Sequence, residues 1–354
     1  MIRFIFLMCS ERSGSNLITK LFDAHPEVCG PNTAHLADSI LPELHRYTPF
    51  DPSSWQDLTK DVHELLQIKQ AVWQRRFTLR ELQNRTAEGD IAGLLRFVYG
   101  EEARAQGKTI AFIKENRIYE YGTFLAAHFS DARYLYHFRD PRDMAASWKE
   151  SYAIRGGVVR AAQTWQQDQP GFLQMKASLE VNTAVDRDHR KPPQTPFARS
   201  NQLVPAASYE ELVQEPEQTL NRLCSSLGLA FHPAMLEHHR LGRTELNARA
   251  AADWANLSHP IFSKSVGSFR TRLSADEIAY VEAVCYDTMT ALGYERDNEP
   301  MTPVAFHELS GRMKQSEPTE KARYLKISEE EKLLRRRLKD TRTRIHRRSP
   351  TPLM

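Results

Sequence analysis

The chain has 354 residues, 41% of them hydrophobic, with a formal net charge of +3 at pH 7. These values exclude a wholly disordered chain and a general polyelectrolyte attraction, and they fit one large α/β domain with an appendage. No stretch approaches the ~20 apolar residues that cross a bilayer, and Cys9, Cys29, Cys224 and Cys285 lie far apart in no metal-ligand spacing, so reduced thiols in a cytoplasmic protein are expected.

Residues 2–9 are a nearly continuous apolar run, the pattern of a parallel strand covered on both faces. The run superficially resembles part of a signal peptide, but it leads into Ser10-Glu11-Arg12-Ser13-Gly14-Ser15 rather than a small-residue cleavage site. Leu17, Ile18, Leu21 and Phe22 then mark one face of a helix starting near Ser15, which His25-Pro26 ends. From about 35 to 107 the chain reads as mostly helical, with apolar faces at Leu65, Leu66 and Ile68 and at Leu94, Leu95, Phe97 and Val98, and is taken as a cap. Strands are expected at 110–113 and 134–138, the second followed by a helix from Pro141. The stretch 182–202 reads as a surface loop, followed by a strand near 203–208 and helices near 216–227 and 275–292. Strands alternating with helices imply a doubly wound parallel sheet flanked by helices, over residues 1–297.

Residues 298–354 are read as a separate basic tail, solvated and helical or partly disordered. Ser328 with Glu331 forms a capping-box pattern, and Glu331 to Arg335 is a favourable i,i+4 pair. The tail carries Arg335, Arg336, Arg337, Lys339, Arg342, Arg344, Arg347 and Arg348. It is either a charged tail without a partner or a surface for an anionic membrane, polymer or protein.

Two constellations carry chemistry. In Ser10 to Asn16, between strand and helix, backbone N–H groups and the helix N-terminus converge on one point, an anion site. Gly14 permits close approach, Ser13 and Ser15 add hydroxyl donors, and Arg12 brings charge. The blander reading is a polar turn that caps a helix. The loop lacks GxxxxGK[ST], and with it the lysine and hydroxyl of a nucleoside triphosphate site. The second constellation is Arg139-Asp140-Pro141-Arg142-Asp143-Met144-Ala145-Ala146-Ser147. Arg139 ends a strand, where open α/β sheets bind ligands, and Ser147 lies two turns into the next helix. Together they could grip one phosphate from two sides; alternatively Arg139 and Asp140 form a structural ion pair.

Taken together, these segments resemble the 3′-phosphoadenylyl sulfate (PAPS)-dependent sulfotransferase family, in its soluble bacterial form with a P-loop-like sheet. The resemblance implies that the loop from Arg12 through Ser13, Gly14 and Ser15 to Asn16 holds the 5′-phosphosulfate, and that Arg139 with Ser147 holds the 3′-phosphate. Three further segments match in order. Asp23 to Val28 resembles the helix-ending segment. Ser208-Tyr209-Glu210-Glu211-Leu212 resembles the element whose tyrosine approaches adenine. Val266-Gly267-Ser268-Phe269-Arg270 resembles the segment closing over the nucleotide, which makes Gly267 and Arg270 candidates. The match covers roughly residues 2–295 and leaves the tail unexplained.

Some branches of the family place a catalytic glutamate just after the histidine-proline turn, but this chain reads Cys29-Gly30-Pro31-Asn32-Thr33-Ala34-His35. His35 is the expected replacement as base, since its ordinary pKa suits proton abstraction near neutrality. Lys114 is expected to neutralise sulfuryl or phosphate oxygens, with Glu115 the fallback base; a surface ion pair is the alternative for those two. Trp148, Trp165 and Trp254 are read as packing residues, and nothing in the pattern calls for a metal. The activity implied is sulfuryl transfer from PAPS to a carbohydrate, lipid or small-metabolite hydroxyl, without nucleic acid as partner. The rival readings are a kinase or nucleotide hydrolase with a degenerate loop, and a silent nucleotide-binding protein that recruits partners through its tail.

Overall fold

In a computed structural model describing residues 2–180, 203–318 and 322–348, strand β1 (Arg3–Cys9) lies at the centre of the molecule. Its side chains alternate between two apolar layers. Phe4, Phe6 and Met8 join one core and Ile5, Leu7 and Cys9 the other, which is why the strand is apolar throughout rather than at every second residue. β2 (Val28–Cys29), β3 (Ile110–Lys114), β4 (Arg133–Phe138) and β5 (Ala206–Ser208) complete a sheet of order β2-β3-β1-β4-β5. Every pairing is parallel.

The chain leaves β1 toward β2 on one side, and leaves β4 toward β5 on the other. The point where these directions diverge lies between β1 and β4, the crevice in which open α/β sheets bind ligands. Cys9 pairs with His137, so the loops leaving the two strands start side by side. Both chemical constellations read from the sequence therefore arise side by side at the C-terminal ends of two neighbouring interior strands.

One face of the sheet carries helix Ser15–Asp23 and helix Pro216–Ser226, whose Leu220, Leu223 and Cys224 complete the second core. The other face carries the cap. Helices Pro52–Ile68, Leu79–Asn84 and Ile91–Ala105 bring Leu65, Leu66, Leu82, Leu94, Leu95 and Val98 to the first core. A third core joins helices Pro141–Lys149, Val158–Glu180, Ala275–Ala291 and Pro303–Ser316. The expected loop at 182–202 lies outside the described residues. Among the described residues, no helix is long and apolar enough to cross a membrane.

The C-terminal region differs from the solvated tail suggested by composition. Helix Glu329–Arg347 begins at the expected Ser328 cap but folds back onto the cap region. Ile345 is fully buried in the first core and Thr341 is buried against Glu64. Arg344 pairs with Asp61 at 2.5 Å and Glu64 at 2.7 Å, while Arg348 pairs with Asp57 at 2.6 Å and Asp61 at 2.8 Å. Arg336, Arg337, Lys339 and Arg347 stay exposed. The helix is amphipathic through charge: one basic face meets acidic residues of the cap, and the other meets water.

Candidate active site

A cavity of about 440 Å³ opens above the β1–β4 crevice. Its floor is the loop after β1. Arg12 (φ +63°) and Gly14 (φ +87°) are left-handed, which turns the chain sharply into helix Ser15–Asp23. Ser13 Oγ donates to the Ser10 carbonyl at 2.7 Å and braces the turn. No described side chain caps the helix, so its first N–H groups are available to an anion at the cavity wall formed by Gly14, Ser15 and Asn16. Gly14 is required for a second reason: a Cβ would lie 2.3 Å from Tyr209 Cδ2.

The second constellation meets the first directly. Arg12 Nε donates to Ser147 Oγ at 3.0 Å, and Arg139 donates to the Arg12 carbonyl and the Ser265 carbonyl, each at 3.1 Å. The Arg139 guanidinium lies 4.3 Å from the Tyr209 ring centroid, and Tyr209 O–H meets Ser265 Oγ at 2.9 Å. Arg12, Arg139, Ser147, Tyr209 and Ser265 all line the cavity. The expected ion pair partner of Asp140 is Arg142 (2.7 Å), not Arg139, which leaves Arg139 for the cavity.

The late glycine-aromatic-basic segment is positioned differently from the sequence expectation. Gly267 N–H donates to Asp143 at 2.7 Å, and Phe269 N–H donates to the same carboxylate at 2.8 Å. Arg270 points outward and pairs with Asp297. The cavity arginine is instead Arg272, held by Glu150 at 2.6 Å and donating to Ser268 Oγ at 3.1 Å. Neither Arg272 nor Asp143 was singled out from sequence. Asp143 lay inside the quoted motif, and its fixed spacing from Arg139 was the available signal.

His35 forms part of the same wall. The segment leading to it is fixed by Asp23, which accepts from Gly30 N–H at 2.9 Å, and by Trp73 Nε1, which donates to the Asn32 carbonyl at 2.9 Å. His35 is left-handed (φ +56°) and half-buried, with Nδ1 3.0 Å from Asp38 Oδ2. Burial lowers its pKa, Arg342 and Lys114 lower it further, and Asp38 opposes them. Asp38 is itself held well below the usual carboxylate range: burial opposes this, but Arg342 and His35 outweigh it. With Asp38 ionised, His35 Nδ1 carries the proton and Nε2 is left basic.

Lys114 lines the cavity and donates to Asn116 Oδ1 at 3.0 Å, while Asn116 donates to Glu11 at 3.1 Å. Glu115 turns away from it. One oxygen accepts from Tyr99 O–H (3.0 Å) and Leu36 N–H (3.3 Å), and the other has no partner among the described residues. Burial and the Asp38 charge push Glu115 up to about 8. Ligand atoms of His35, Asp38 and Glu115 lie within 4.8 Å of one another, a spacing a metal could use. The set fits a cation poorly: Glu115 holds its proton at neutral pH, and Asp38 already faces Arg342 at 2.7 Å. Trp148 and Trp165 are buried as read from sequence, but Trp254 lines the cavity beside Tyr152 and Phe262.

The sheet order and the loop at its centre define an α/β architecture of the P-loop-like kind. Residues 5–233 match the Sulfotransferase family, and the chain belongs to it. It is 35% identical over 92 residues to carbohydrate sulfotransferase 2 of Mus musculus and of Homo sapiens. That stretch is 26% of this chain and only 17% of those proteins. It is also 22% identical over 294 residues to nodulation protein NoeE of Sinorhizobium fredii (strain NBRC 101917 / NGR234), covering 82% of this chain and 66% of that protein. The sulfotransferase domain from the curacin biosynthetic pathway shares the fold, with a TM-score of 0.52 at 18% identity over 84% of this chain and 99% of that one. The family supports sulfuryl transfer as the general reaction.

Proposed function

We propose that the chain transfers the sulfuryl group of PAPS to an acceptor hydroxyl, with His35 as the base. One observation supports the reading: Arg12, Gly14, Ser15 and Asn16 of the first loop, and Arg139 with Ser147 of the second constellation, line a single cavity that also contains His35. A nucleotide with a 5′-phosphosulfate and a 3′-phosphate has anionic groups for both grips, with Tyr209 near the nucleoside between them.

The acceptor oxygen attacks sulfur while the bond from sulfur to the 5′-phosphate oxygen breaks. The acceptor proton passes to His35 Nε2, and 3′,5′-adenosine bisphosphate (PAP) leaves. Charge accumulates on the departing phosphate oxygen, where Arg12, Lys114 and the N-terminus of helix Ser15–Asp23 offset it. Positioning and electrostatics supply the catalysis, as in phosphoryl transfer. Trp254, Tyr152 and Phe262 give the acceptor side aromatic surface, which suits a carbohydrate, lipid or small-metabolite hydroxyl.

The test is a labelled-PAPS transfer screen against extracts, with mass spectrometry of the sulfated product. His35→Ala should bind PAP as the parent does and lose about 10²- to 10⁴-fold in turnover. Absence of both PAPS binding and transfer with every extract would overturn the reading. Binding without transfer would leave a silent nucleotide-binding protein, and unchanged turnover in the variant would remove His35 as base.

A further inference from the structure

The C-terminal helix reaches Asp38, the partner of the base, from 304 residues away in sequence. Arg342 Nη2 donates to Asp38 Oδ1 at 2.7 Å, and its Nε donates to Ser39 Oγ at 2.9 Å. Ser39 Oγ in turn donates to the His35 carbonyl and, at 3.2 Å, to Asp38 Oδ1. Both oxygens of the buried Asp38 are thus committed, one to Arg342 and one to His35 Nδ1. The guanidinium also braces the backbone of a histidine in a left-handed conformation, which the surroundings must enforce. The same helix supplies Arg335 to the cavity wall and is anchored at Glu331, which accepts from Ala252 N–H at 3.0 Å.

We propose that helix Glu329–Arg347 is a working part of the active site, and that its Arg342 is a positioning residue that holds the Asp38–His35 pair in register for proton abstraction. The proposal rests on the reading of His35 as base, and it assigns a role to a segment that the family match over 5–233 does not reach. Arg342 has two effects with one cause. It orients Asp38 so that Nδ1 keeps the proton and Nε2 receives one. Its charge also disfavours the imidazolium, which keeps the histidine neutral at lower pH. The charged and titratable groups around His35 are Asp38 on its own segment, Lys114 and Glu115 from the end of β3, and Arg342 from the C-terminal helix. Tyr99 and Tyr121 lie behind Glu115.

The experiment uses full-length protein with labelled histidine and follows the His35 ring by NMR against pH, with PAP titrations alongside. Arg342→Ala should raise the His35 titration midpoint, and Arg342→Lys, which keeps the charge, should restore most of it. Arg344→Ala is the control: it loosens the same helix from Asp61 and Glu64 and should leave the midpoint in place. With an acceptor from the transfer screen, the acid limb of kcat in Arg342→Ala should move to higher pH in step with the midpoint, with PAP affinity unchanged. Asp38→Asn should lower kcat at least tenfold, approaching the ~10⁴-fold loss that follows when an amide locks the wrong tautomer. An unmoved midpoint in Arg342→Ala, or equal movement in Arg344→Ala, would overturn the proposal. If Arg342→Ala does not fold, Arg342→Lys and Asp38→Asn decide: normal kcat and pH profile in both would overturn it equally. Full activity in His35→Ala would instead remove the base reading while leaving the titration result intact, so the two failures are distinguishable.

Discussion

Arg12 Nε donates to Ser147 Oγ at 3.0 Å, which ties the loop after β1 to the helix after β4 directly across the crevice. The two anion grips are therefore one structure: Arg139 also binds the Arg12 carbonyl, so moving either loop disturbs the other. Under the PAPS reading, a bound 3′-phosphate takes up Arg139 and Ser147, and Arg12 is freed toward the phosphosulfate. Under the same reading, the pair is a preformed anion site held in reserve by its own hydrogen bonds.

The grips should differ in weight. Arg139→Ala removes charge-assisted hydrogen bonds of about 1.5–3 kcal/mol, and PAP affinity should fall about 10- to 150-fold by calorimetry. Ser147→Ala removes a neutral donor of about 0.5–1.5 kcal/mol and should cost about two- to tenfold. If Arg139→Ala binds PAP normally, the 3′-phosphate does not sit there.

Gly14→Ala should fail for two reasons that add. A left-handed backbone costs an L-residue about 1–2 kcal/mol, and the new Cβ would lie 2.3 Å from Tyr209. Tyr209 must swing away, giving up its contact with Arg139 and its bond to Ser265. Thermal denaturation should show a less stable protein, and PAP binding should weaken more than stability alone explains. A variant that is only less stable would mean that Tyr209 does not touch the nucleotide.

The loop after β1 was legible in sequence because it is local: a strand, a turn and a helix N-terminus are contiguous. β2 was missed because two residues carry no periodicity. Helix Val158–Glu180 was missed because Pro170 and Gly171 interrupt it, and Gly171 is there to let Tyr119 approach. His35 was placed from the motif, whereas Asp38 went unnoticed although it is one helical turn away. The Arg342 contact had no sequence signal, since a run of basic residues reads as solvated until its acidic partners, Asp38, Asp61 and Glu64, are brought to it by the fold.

Glu115 should betray its protonation through stability. Its pKa rises from an ordinary 4.5 to about 8 in the folded chain, so between these values the folded protein keeps a proton that the unfolded chain releases. Stability contributed at this site therefore declines as pH rises from 4.5 to 8 and levels off above. Glu115→Gln has no proton to lose. Relative to the parent, the variant should gain stability across that window, by up to a few kcal/mol at its upper end, in denaturant titrations at matched pH. Turnover at pH 7 should survive the change, because a carboxyl already protonated is no base. A 10²-fold loss would reinstate Glu115 as the proton acceptor.

The stretch after Gly267 gives the sharpest contrast, because Arg270 and Arg272, two residues apart, face opposite ways. Arg270 pairs with Asp297 in the open, while Arg272 lines the cavity between Glu150 and Ser268. A short helix, Phe269–Arg272, sets this orientation, and it is fixed by the Gly267 and Phe269 N–H groups on Asp143. An exposed ion pair contributes little, so Arg270→Ala should leave PAP affinity and stability nearly unchanged. Arg272→Ala removes a cavity cation and the partner of Glu150, and should weaken PAP binding about tenfold or more. Asp143→Asn should weaken binding in the same direction without removing any cationic group, because it releases the turn that aims Arg272. Equal effects from Arg270→Ala and Arg272→Ala would mean that the segment closes over the nucleotide by bulk charge rather than through a directed arginine.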